Sequence, residues 1–262
     1  MNKKLTKIRI NKKKMNIVFL IIVILMIGVS FLAYNLDYGP KNLYIWLIFN
    51  LNSPPTAVVE FPIVYLILMS WVLSFSIIDV NFLSRITDRK ALFLSDLALI
   101  FYTTFIYFVS ITGMMILIGL PTLLLQNKWT NPSLNWFKLS LSSLPNQSVS
   151  LFLQMMLSLL GFMIFLLFLG YLYHFLHLIT KNGVFSFLVD ILIIGLQTYF
   201  FVSGSNGILL QLMPITHDVI YLDKGKNFSS FISIPESLIY WILIFTLLFT
   251  GIYYIYRKRR LI

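Results

Sequence analysis

The side chains with the most chemical potential are two histidines and an acid. His174 and His177 stand one helical turn apart in YHFLH, and Asp190 follows in FLVDILI. Imidazoles at i and i+3 near a carboxylate could relay a proton or contribute to a metal site. Two histidines and one acid on two helices fall short of a full donor set, so no metal is assigned. Both stretches are otherwise apolar, and a carboxylate near the centre of a membrane costs about 2.5–3.5 kcal/mol. Asp190 should therefore face the protein interior or stay protonated. Counting equal steps from a turn near Lys181-Asn182 places His174 level with Asp190, so a hydrogen bond between them is expected. His217, beside Asp218, reads as an exposed loop residue.

No catalytic residue can be assigned. The nearest approach to HExxH is His174-Phe-Leu-His177, and Gly204-Ser205-Asn206-Gly207 lacks the GxSxG spacing. There is no GxxxxGK[ST] phosphate loop, so ATP chemistry would need a partner. With no cysteine in the chain, disulfides, thiolate metal sites and a cysteine nucleophile are excluded. The expectation is a chain that is not an enzyme and binds no cofactor by itself.

The elements that must carry these residues are helices in lipid. Of 262 residues, 59% are hydrophobic and 11% charged, against roughly 25% charged in soluble domains. One core could not bury so much apolar surface, and several runs reach the ~20 residues that span hydrocarbon. Six spans are expected, at about 16–34, 61–78, 91–120, 150–178, 184–203 and 238–256. A signal peptide is disfavoured at the first, because bulky Phe31 makes a poor cleavage pair with Ala33. The fold class is thus an all-α polytopic membrane protein, flanked by basic segments 1–14 and 257–262.

Charge orients the set. With six spans, residues 1–14, 81–90, 179–183 and 257–262 share one side and hold 15 of the 20 Lys and Arg residues. The positive-inside rule makes that side, and both termini, cytoplasmic. The net charge of +11 is explained by topology and anionic lipid; no nucleic-acid module accompanies it. Trp46, Trp129, Trp136 and Trp241 fall at the outer boundary as anchors would, with Trp71 mid-span. Of the outer segments, NLYIWLIFNL before Pro54-Pro55 is too short to cross and is expected at the interface. Residues 204–237, interrupted at Pro214, read as short re-entrant or interfacial helices between the last two spans.

Between the second and third spans lies NFLSRITDRK, residues 81–90. Phe82, Leu83 and Ile86 form a small apolar face flanked by Arg85 and Arg89. Loop chemistry alone allows a tight cytoplasmic turn whose cations enforce topology, or an element that docks in a groove on a partner.

The basic N-terminus, six spans and the loop SRITDRKALFLSD resemble the ABC-2-type permeases, also called type V ABC exporters. The likeness is to small six-span permeases of Gram-positive bacteria, several associated with export of, or immunity to, antimicrobial peptides. It covers nearly the whole chain in architecture, but its motif is confined to residues 82–96, and the family's amphipathic N-terminal helix is represented only by a short basic stretch. The resemblance implies that Phe82, Arg85, Ile86, Arg89 and Lys90 form a coupling loop on a separate ABC ATPase subunit. It also implies pairing with itself or a sister permease, a bacterial plasma-membrane location, and ATP bound only through the partner. The absence of a charge series in any span favours an amphipathic peptide or lipid-like substrate over a small ion. The alternatives are a stand-alone immunity or accessory protein binding a peptide or sensor, and an intramembrane enzyme using Asp190 and His174.

Overall fold

Ser150 starts the longest apolar run: its hydroxyl accepts from the Leu153 amide at 3.3 Å, and helix α5 continues from Leu151 to Thr180. Lys181 ends it in the left-handed region at φ 54°, donating its amide to the His177 carbonyl at 2.9 Å. Asn182 then caps the next helix, its side chain accepting from the Val184 and Phe185 amides at 3.0 and 3.2 Å. Two residues thus turn the chain into α6, Gly183–Val202.

The computed structural model describes residues 40–77, 89–140, 150–202 and 234–258, with Ile27, Gly28, Ser30, Phe31, Tyr34, Asn35, Met213, Pro214 and His217. Among the described residues the fold is all-helical: α1 Leu43–Asn52, a π-helical segment Pro54–Glu60, α2 Phe61–Ile77, α3 Arg89–Gly119, α4 Asn131–Ser140, α5, α6 and α7 Ile234–Lys258. Four stretches are long and apolar enough to cross a membrane: Thr56–Leu73, Lys90–Gly119, Leu151–Thr180 and Glu236–Lys258. α1 and Gly183–Tyr199 are shorter apolar helices. Most of the expected span at 16–34, the loop up to residue 88 and most of 204–237 lie outside the described residues.

α5 is the central post, touched by α1, α2, α3, α6 and α7. Side-chain pairs give the directions. Tyr44 meets Phe152, Asn52 meets Ser158, Phe61 meets Phe162 and Tyr65 lies over Gly170, so α1 and α2 run parallel to α5. Phe108 meets Phe162, Ile100 meets Gly170 and Asp96 meets His174, so α3 runs against it. Trp241 meets Phe168 and Gly251 meets Phe175, so α7 runs with it. Outward faces carry large apolar side chains, including Phe101, Tyr102 and Phe105 on α3 and Leu188 and Leu192 on α6. A lipid-facing surface has that character.

Two expectations are corrected. NLYIWLIFNL does not lie on a surface: Ile45, Trp46 and Ile48 are 0% exposed. The helix has no charged residue and, apart from Asn50 and Asn52, is apolar, so no broad face suits water and it is buried by protein. Trp46 is accordingly a core residue and not an interfacial anchor, and Trp241 is buried against Phe168. Pro54 ends α1 by holding Ser53 extended, at φ −74° and ψ 123°. The chain resumes as a π-helical turn, with the Phe61 amide reaching back to the Thr56 carbonyl. Leu43 to Ile77 is therefore one broken path along α5, with a kink at residue 53.

Candidate functional site

The bundle interior is polar at three levels along α5. Outermost is the break in the α1–α2 path. Proline has no N–H, so Pro54 and Pro55 cannot satisfy the last carbonyls of α1. The Thr56 hydroxyl donates instead to the Asn50 carbonyl at 2.6 Å, and more weakly to the Ser53 carbonyl at 3.2 Å. Asn52 donates to the Ile48 carbonyl at 2.7 Å and to the Ser158 hydroxyl on α5 at 2.9 Å. The Ser30 hydroxyl donates to the Asn50 side-chain oxygen. Asn50, Asn52 and Ser158 are each 1% exposed, so these bonds sit fully inside the protein.

At mid-height, Tyr65 of α2 bonds Thr104 of α3 at 2.6 Å. Thr104 donates to the Ile100 carbonyl at 2.8 Å, so the Tyr65 hydroxyl is the donor of the pair. Tyr107 donates to the Phe61 carbonyl at 2.5 Å, just past the π-helical segment. Together they clamp α2 to α3. Tyr65 lies so close over Gly170 that a methyl group there would collide with its hydroxyl and stand 2.9 Å from Ile100. Asp190, 0% exposed, lies on the inward face of α6 within electrostatic range of Tyr65 and Tyr173.

At the far end, Tyr256 of α7 donates to the Asp96 carboxylate of α3. The Tyr256 hydroxyl is 3.4 Å from Nε2 of His174, which is itself 4.0 Å from the same Asp96 oxygen. This clasp joins α3, α5 and α7.

The expected pair of His174 and Asp190 is not formed. Among the described residues neither Asp190 oxygen has a hydrogen-bond partner, and His174 is engaged by Asp96 and Tyr256. The reason is helical phase: one residue turns a helix by about 100°. Level counting along two helices does not fix the face each side chain takes. Tyr173 is the residue of α5 directed at α6, donating to the Gly183 carbonyl at 3.4 Å. Asp96 was overlooked, although it closes the motif SRITDRKALFLSD. An acid seven residues after Arg89, on the helix that Arg89 begins, is the available signal.

His177 stacks on Tyr173 at 6.1 Å. Among the described residues no group of three or more His, Asp or Glu side chains could hold a metal. His217 is not an exposed loop residue: it is half-buried, stacks on Tyr240 at 3.7 Å and lies 3.2 Å from the Ser237 hydroxyl. Of the coupling-loop residues, Phe82, Arg85 and Ile86 lie outside the described residues, Arg89 begins α3 and Lys90 is exposed.

The fold and these three levels define a class: an all-helical chain with helices built to cross a membrane and hydrogen-bonded polar layers inside. No known protein family, curated protein or solved structure matches it.

Proposed function

We propose that the chain is a six-span permease subunit of an ABC-2-type exporter in a bacterial plasma membrane. ATP binding and hydrolysis belong to a separate ABC ATPase subunit, and a second permease, identical or sister, completes the pathway. The observation that carries this reading is the clamp between α2 and α3. Their connecting loop holds Phe82, Arg85 and Ile86, and the two helices are joined inside the bundle by Tyr65–Thr104 and Tyr107–Phe61. A push on that loop would move both helices as one unit, and Phe61 lies directly after the π-helical break.

Charge supports the orientation. Lys90 lies in the first turn of α3, Lys181 caps the end of α5, and Arg257 and Lys258 end α7, so the helix directions put all four at one end of the bundle. That end is cytoplasmic by the positive-inside rule. The cargo is an amphipathic peptide or lipid-like molecule, since the described interior offers hydrogen-bonding groups and aromatic rings with few formal charges.

Co-purification with a co-expressed candidate ABC ATPase tests the reading. Phe82→Ala/Arg85→Glu/Ile86→Ala should abolish association while leaving membrane insertion intact. Association that survives the triple change refutes the coupling assignment.

A further inference from the structure

α6 buries one narrow face, made of Ser186, Asp190, Ile194 and Gln197 at i, i+4, i+8 and i+11. All four are at most 2% exposed, although three are polar. The face packs on α5, on α2 and on the π-helical segment. Ser186 spends its hydroxyl on the hairpin, donating to the Asn182 carbonyl at 3.0 Å. Asp190 is different: both carboxyl oxygens are shut from solvent and make no hydrogen bond among the described residues. No cation among those residues is within ion-pair distance of it either.

The titratable groups around it are known. α5 presents Tyr173, with His177 one turn nearer the hairpin, and α2 presents Tyr65. The π-helical segment ends in Glu60, which is exposed. The Tyr65 hydroxyl is committed to Thr104 and the Tyr173 hydroxyl to the Gly183 carbonyl. A metal or alkali cation would need several oxygen or nitrogen donors, and a single carboxyl with two engaged phenols does not provide them. An ionised carboxylate held without a counter-charge would cost several kcal/mol. The ligand that fits is the smallest one, a proton.

We propose that Asp190 is a proton-binding site. The carboxyl holds a proton while α6 is packed on α2 and α5, and yields it to water when those helices part. On opening, the O–H bond breaks, its electron pair stays on the carboxylate oxygen, and water or a buffer base takes the proton. Closing reverses the step. This goes beyond the permease reading and holds whether or not an ATPase docks on the loop.

Infrared difference spectroscopy on the full-length protein in lipid nanodiscs reads the site directly. Wild type minus D190N should show a protonated-carboxyl C=O band that is lost, reversibly, as pH is raised. Asp96 is present in both proteins and cancels. If D190N does not fold, D190E serves instead, with the band shifted and not lost. Absence of any such band across the pH range overturns the proposal. A second measurement is thermal unfolding: an amide mimics a neutral acid, so D190N should melt no lower than wild type at neutral pH. A marked drop would mean that the acid is ionised and paired, which also overturns it.

Discussion

Thr56→Val is the sharpest perturbation of the broken helix. The side chains are nearly isosteric, so the change removes one hydroxyl and adds one methyl. Burying that methyl gains about 0.8 kcal/mol. Against this, the Asn50 carbonyl loses its 2.6 Å donor, and the residues that would normally supply a helical N–H are Pro54 and Pro55. A buried polar group left unsatisfied costs about 1–3 kcal/mol. Thr112→Val is the matched control. Its hydroxyl donates to the Phe108 carbonyl at 2.8 Å and it is buried to the same degree, but it sits mid-helix in α3. There the carbonyl keeps its helical backbone donor when the hydroxyl goes. The methyl gain cancels between the variants, so their difference isolates the orphaned carbonyl. Thr56→Val should be the less stable by about 1–3 kcal/mol, or roughly 2–12 °C in melting temperature. Thermal unfolding in one detergent, with steric trapping as the equilibrium check, measures it. A difference below about 0.5 kcal/mol would refute the claim that Thr56 replaces the amides that the prolines lack.

Four further outcomes follow from the packing. Gly170→Val should cost at least about 1–3 kcal/mol by overpacking against Tyr65 and Ile100. Gly195→Ala meets open space and should gain about 0.5–1 kcal/mol in the same melting assay. A double-mutant cycle on Asp96→Asn and Tyr256→Phe should give a coupling of about 0.5–3 kcal/mol, whereas Asp190→Asn with His174→Ala should be additive within about 0.5 kcal/mol. Additivity at the first pair would refute the clasp, and strong coupling at the second would restore the partnership expected from level counting. Because the chain has no cysteine, Asn52→Cys/Ser158→Cys gives a clean oxidative cross-link; a surface-lying α1 would give none.

Much of the fold was legible because membrane helices are written in long apolar runs. The spans expected at 61–78, 91–120, 150–178 and 238–256 correspond to α2, α3, α5 and α7, and 184–203 to α6. Two things were not legible. A ten-residue apolar helix is too short to cross and was assigned to the interface, but length says nothing about whether other helices will cover it. Only the lack of any polar face on LYIWLIFNLN marked α1 as core. The partner of His174 was missed because step counting along two helices gives height and ignores azimuth. Tyr173 and His174 are neighbours in sequence yet serve different helices, α6 and α7.

The same azimuth explains why the interior divides as it does. α3 is bonded to α2 at mid-height through Tyr65–Thr104 and Tyr107–Phe61, and to α7 at the far end through Asp96–Tyr256. α6 is tied at its hairpin by Asn182, Ser186 and Tyr173, while the next polar group along its buried face, Asp190, makes no hydrogen bond among the described residues. Helices joined by buried hydrogen bonds must move together or lose them at about 1–3 kcal/mol per orphaned group. Asp190 itself carries no such cost among the described residues. Under the permease reading proposed above, the clamped pair would move as a unit, with the face of α6 around Asp190 as the proposed line of parting. The proton proposed for Asp190 then has a mechanical meaning. Held, it lets the seam close without a bare charge in the interior; released, it leaves a carboxylate that keeps the seam wet and open.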